Sequence, residues 1–128
     1  MSPTDFILGP VPAENARETP EVQALLAACP TLESRLNLDD GAYIVMGSVG
    51  RMIRDRELTD AELDCVFEVF NRLAELETSD LDLLGAGALE ILNDDAPTAR
   101  FARSKLRGKA LEMVEALRIG WGQPDYSA

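Results

Sequence analysis

Thr59-Asp60-Ala61-Glu62-Leu63-Asp64-Cys65-Val66-Phe67-Glu68-Val69-Phe70-Asn71-Arg72-Leu73-Ala74-Glu75 decides the fold class. Its first four residues have the form of a capping box. The Thr59 hydroxyl can accept from the backbone three residues on, and the Glu62 carboxylate can reach back to the N–H of Thr59. Leu63, Val66, Phe67, Phe70, Leu73 and Ala74 then fall on one stripe at helical spacing, with Asp64, Glu68, Arg72 and Glu75 on the opposite face. Glu68 precedes Arg72 by four residues, the favourable orientation for an ion pair within a helix. The pattern predicts a capped amphipathic helix with one face on a core.

The flanking segments also read as helices. On the N-terminal side, Val45, Met46, Val49, Met52 and Ile53 recur at helical spacing, predicting a helix from Ala42 to about Glu57. Gly47 and Gly50 weaken it locally and would let a neighbour approach closely. An earlier helix is expected to start at Thr19-Pro20-Glu21 and end by Cys29, because Pro30 disfavours helical geometry in the residue before it. Thr31 would cap a short turn through Leu36, and Asp39-Asp40-Gly41 reads as a loop. On the C-terminal side, Ser79 is the expected cap of a helix from Asp80 to about Asn93. Leu81, Leu83, Leu84, Leu89, Ile91 and Leu92 make it apolar nearly all round, which is the mark of a central helix. Asn93 to Pro97 reads as a turn. Thr98 restarts a helix that reaches about Ile119 with a break near Gly108, and Leu106, Ala110, Met113, Val114, Leu117 and Trp121 form its buried stripe. No run alternates as a strand would. The expected architecture is all-α, an irregular antiparallel bundle of five or six helices with short connections. Residues 1–18, with three prolines around Phe6-Ile7-Leu8, are expected to form an extended N-terminal arm. Residues 19–122 form the helical domain and 123–128 a C-terminal tail.

The chain has 128 residues, the length of one domain, and can bury roughly two-thirds of its unfolded surface. Aromatic content is 5%, so Leu, Val, Ile, Met and Ala must supply most of the core. No apolar run nears the roughly 20 residues of a membrane span. The first residues lack the basic and apolar regions of a signal peptide. A cytoplasmic protein with no membrane partner is expected. Cys29 and Cys65 are too few for a disulfide framework and lie in apolar contexts; both are expected to be reduced core residues, a single bridge being the alternative.

Catalytic signals are missing. Histidine is absent, and with it the side chain most used for proton transfer near neutral pH and the commonest metal ligand. No base is available to activate Cys29, Cys65 or a serine, and the glycines form no phosphate-binding motif. Asp60-Ala61-Glu62-Leu63-Asp64 alternates acids as a calcium loop does, but Cys65 stands where that loop needs glycine, and the helix-start reading fits better. No enzyme activity, no cofactor and no metal site is expected.

Charge is the chain's most specific signal. Between Asp55 and Asp95 lie thirteen acids and only two bases, Arg56 and Arg72, which leaves the whole formal charge of −11 in that stretch. A field of one sign steers an oppositely charged partner. Asp60, Glu62 and Asp80 have local roles at helix starts, and Glu90 falls on a mostly buried helix. Asp64, Glu68, Glu75, Glu77 and Asp82, with the turn acids Asp94 and Asp95, have no such role and are the candidate partner-binding residues. Arg100, Arg103, Lys105, Arg107 and Lys109 form a counter-cluster. It reads better as an internal complement to the acidic helices, or a solvated face, than as a nucleic-acid patch, because the overall charge repels phosphate.

Ala28-Cys29-Pro30, Val66-Phe67-Glu68, the run Leu84-Gly85-Ala86-Gly87-Ala88-Leu89-Glu90 and Trp121-Gly122 resemble segments of small bacterial all-helical proteins, some of which accompany polymorphic toxins. The resemblance spans residues 20–122 and carries no catalytic residues. It implies an immunity-type or interaction protein. Together with the charge, it leads to the expectation of a protein that binds and occludes a cognate toxin domain with a basic surface. The alternative is a non-catalytic adaptor or secretion chaperone that holds a protein partner in an apolar groove.

Overall fold

The computed structural model describes residues 15–122. Five α-helices carry the fold: α1 (Pro20–Ala28), α2 (Ala42–Arg54), α3 (Asp60–Glu75), α4 (Ala96–Lys105) and α5 (Gly108–Gly120). Short 3-10 segments cover Ala16–Glu18, Pro30–Arg35 and Leu89–Asn93, and a π-helical segment covers Leu83–Ala88. No strand occurs among the described residues. The chain is all-helical as expected, with more separate helical segments than the five or six anticipated. Among the described residues no helix is long and apolar enough to cross a membrane.

α3 forms with the capping box and apolar face its sequence predicts, although Leu63 of the stripe is only half-buried. Glu62 N–H donates to the Thr59 hydroxyl at 3.1 Å, and Thr59 N–H donates to the Glu62 carboxylate at 2.9 Å, so both halves of the capping box are made. Val66, Phe67, Val69, Phe70, Leu73 and Ala74 are buried. Phe67 lies at the middle of the core, edge-on to Phe70 at 6.1 Å and to Phe101 of α4 at 5.7 Å between ring centres. α3 packs on α1, α4 and α5, while α2 packs mainly on the segments from Leu83 to Asn93.

α2 ends at Arg54, earlier than the expected Glu57. Arg56 takes a left-handed conformation with φ 59°. The Arg56 N–H donates to Ile53 O and the Glu57 N–H to Met52 O, at 3.2 and 2.9 Å, the paired bonds of a Schellman stop.

The expected central helix over 80–93 is not one α-helix. The Asp80 carboxylate, rather than Ser79, accepts the Leu83 N–H and starts it, after which the backbone widens into the π segment and tightens into 3-10. Close approach to α2 accompanies the change. A Cβ on Gly50 would stand 2.9 Å from the Ala88 carbonyl oxygen, and one on Gly87 would stand 3.0 Å from Met46 Cβ. The glycines of both segments thus allow near backbone-to-backbone packing.

Three smaller expectations also shift. Pro97 lies in the first turn of α4 rather than in a turn before it, since the Asp95 carboxylate caps the Thr98 N–H at 2.8 Å. The C-terminal helix breaks where expected, at Leu106-Arg107, but Trp121, expected to be buried, is 65% exposed. Residues 16–18 form a 3-10 turn with Ala16 fully buried, so the domain begins before residue 19. The rest of the expected arm, including Phe6-Ile7-Leu8, and the tail 123–128 lie outside the described residues.

Candidate functional site

The buried acid Glu62 is spent on structure. Besides closing the capping box, it accepts the Thr31 hydroxyl at 2.6 Å and pairs with Arg35 at 3.0 Å. These bonds, the Thr31 one first, hold its carboxyl below the usual carboxylate range.

The seven candidate acids divide sharply. Asp64 pairs with Lys105 at 2.9 Å and Glu68 with Arg107 at 2.8 Å. The expected bond from Glu68 to Arg72 is thus replaced by one to Arg107 across the α3–α4 seam. Glu75 accepts the Lys109 N–H at 2.9 Å, capping the start of α5. Asp94 pairs with Arg54 at 2.8 Å, an arginine that also holds Asp55. Asp95 is the α4 cap, and the Thr98 N–H lowers its pKa. Glu77 and Asp82 are exposed and have no hydrogen-bond or ion-pair partner among the described residues.

The basic cluster partners three of these acids, two of them through its cations. Lys105 and Arg107 take Asp64 and Glu68, the Lys109 backbone takes Glu75, and Arg103 pairs with Glu115 of α5. Lys105 also stands 5.9 Å over the Phe101 ring. The cluster therefore works as a seam between α3, α4 and α5, in line with the expectation of an internal complement.

What remains is an acidic end of the molecule. The 76–82 connection leaves α3 beside the start of α1, where Glu21 accepts the Asp80 N–H at 3.0 Å. Glu18, Thr78, Ser79 and Asp80 border a shallow depression of about 370 Å³ there. Tyr43 and Ile44 at the start of α2 are 44% and 54% exposed. The Tyr43 phenol is pushed up by partial desolvation and by the nearby carboxylates of Asp80 and Asp82. Exposed Tyr43 thus lies within electrostatic reach of the unpartnered acid Asp82, with Ile44 exposed next to it on α2. Tyr43 and Ile44 are not among the candidate residues of the charge pattern. Their signal was phase, since both fall off the stripe Val45, Met46, Val49, Met52 and Ile53.

A second surface is apolar. Ala24, Ala27 and Ala28 of α1 face Val69, Arg72, Leu73 and Leu76 across a groove of about 460 Å³. Leu76, 52% exposed, also borders a neighbouring depression with Asn71, Glu75, Arg107 and Gly108. The small α1 side chains open the groove, since three alanines leave room that leucines would fill.

Among the described residues no three Cys, Asp or Glu side chains converge as a metal-ligand set. Comparisons with protein-family models, curated proteins and solved structures found no match for this chain.

Proposed function

We propose that this chain is a non-catalytic binding protein of the immunity type, acting in the cytoplasm, which blocks a bacterial toxin domain by covering its basic surface. The observation that carries the reading is unpartnered Asp82 within electrostatic reach of exposed Tyr43, with Ile44 exposed next to Tyr43 on α2 and Glu77 exposed in the same connection as Asp82. Free carboxylates attract and orient a basic partner. Aromatic side chains supply buried anchor area at the centre of an interface, where most binding energy concentrates. Asp64, Glu68, Glu75, Asp94 and Asp95, already bonded within the chain, add to the field rather than make the central contacts. We read the helices as an irregular antiparallel bundle, a stiff support that holds such a surface ready without reordering.

Tagged protein expressed in its native host captures the partner. Charge reversal at both positions (Glu77→Lys with Asp82→Lys) is expected to slow association with a basic toxin domain about tenfold at low salt. Glu68→Lys breaks only the Arg107 pair and is expected to leave association within about threefold. Full binding and full protection of cells by the Glu77/Asp82 variant would overturn the proposal. A second reading, an adaptor or secretion chaperone, is favoured by the apolar α1–α3 groove. Ala27→Asp places a charge there from an exposed position, and loss of binding in that variant alone transfers the function to the groove.

A further inference from the structure

α1 stops at Cys29 because Pro30 follows, and α3 carries Cys65 on the side that faces this stop. The Cys65 thiol donates to the Ala28 carbonyl oxygen at 2.7 Å, one peptide unit from Cys29. The Cys65 thiol also lies close enough to Cys29 to help push its thiol pKa up. Both cysteines are free. Cys29 is 3% exposed and Cys65 half-buried, yet both border an open depression of about 430 Å³ together with Pro30, Thr31, Arg35 and Glu62. Two thiols 36 positions apart in sequence therefore line one depression, with Cys65 hydrogen-bonded to the residue next to Cys29, and a small reagent can reach Cys65 from solvent. Neither belongs to the proposed binding surface, so the inference stands independently of that reading.

We propose that Cys29 and Cys65 form a reversible disulfide, a redox modification site that ties the end of α1 to α3 when the surroundings turn oxidising. The oxidant is a small disulfide of the oxidised-glutathione class. The Cys65 thiolate attacks one sulfur of that disulfide; a mixed disulfide forms on Cys65 and the first small thiolate leaves. Cys29 then loses its proton to solvent and attacks the Cys65 sulfur, and the second small thiolate leaves. The protein gives up two thiol protons and two electrons, and the small disulfide is reduced to two thiols. Burial, and then the neighbouring Cys65 and Glu62, push the Cys29 thiol up to about 12. The second step is accordingly slow at neutral pH and quickens with alkalinity. Where disulfides occur in reducing compartments they are mostly transient pairs of this kind.

The test uses the full chain, folded, incubated with oxidised glutathione at pH 7 and pH 9, then alkylated, digested and analysed by mass spectrometry. The expected product is a monomer with Cys29 joined to Cys65, formed at least tenfold faster at pH 9 and fully reversed by dithiothreitol. Cys29→Ala is expected to stop at the mixed disulfide, with glutathione retained on Cys65. The proposal is overturned if the unmodified chain also retains glutathione on Cys65, or couples between molecules, or still carries two free thiols at pH 9.

Discussion

Arg56 occupies a position that glycine fills in most helix stops. Its φ of 59° is left-handed, and an L side chain pays for that conformation in contacts with its own backbone. The Schellman bonds at Arg56 and Glu57 depend on this geometry, so the chain accepts the strain to end α2 there. Arg56→Gly removes the strain and loses only an exposed side chain, against some added freedom in the unfolded chain. It is expected to raise stability by about 0.5–1 kcal/mol, seen as a higher urea midpoint with an unchanged slope.

The contact between α2 and the segments from Leu83 to Asn93 is the element-level feature most sensitive to size. At Gly50 a methyl group would enter the 2.9 Å gap to the Ala88 carbonyl, where neighbouring backbone must move. Gly50→Ala is expected to cost about 1–2 kcal/mol net of its better helix propensity. Gly120, in the last turn of α5, has nothing within 4 Å of the same position. Gly120→Ala is expected to gain about 0.5 kcal/mol, and thermal melts of the two variants therefore shift in opposite directions. This contact also marks where sequence reading stops. The start and apolar face of α3 were legible because a capping box and a periodic stripe are local signals, whereas its Glu68 pairs with Arg107 rather than the expected Arg72. The run after Ser79 is apolar on every side and carries no phase. Its change from α to π and 3-10 accompanies close packing against Gly47 and Gly50, more than thirty positions earlier.

At the scale of the whole molecule, the concentration of charge in one stretch of sequence does not become one acidic face. Asp64 and Glu68 meet Lys105 and Arg107 from about forty positions away, and Asp94 meets Arg54. Those partnerships depend on how α2, α3, α4 and α5 are laid together, which no local pattern encodes. The acids legible as helix-start residues, Asp60, Glu62 and Asp80, do stand at helix starts. Of the seven left over, long-range contacts supply a role for four, Asp64, Glu68, Glu75 and Asp94, while Asp95 has a local one that sequence reading misses, as the cap of α4. Glu77 and Asp82, in the 76–82 connection, have no hydrogen-bond or ion-pair partner among the described residues. Exposed ion pairs of the seam are each worth only about 0–1 kcal/mol, so its value lies in orienting helices more than in holding them.

One part of that seam has a further consequence. The elbow between α4 and α5 is fastened from outside itself: Asn71, buried on α3, donates to the Lys105 carbonyl at 3.1 Å and accepts the Arg107 N–H at 2.8 Å, and Glu75 of α3 accepts the Lys109 N–H. Arg107, in the α4–α5 connection, and Lys109, in the first turn of α5, are surface residues, a setting in which backbone protons usually trade with solvent quickly. Here their only described acceptors are side chains of another helix. In deuterium oxide these two amides are expected to retain protons as long as the core of α3 does, and to lose protection together in Asn71→Ala. Two positions at the rim thereby become reporters of how often the centre opens.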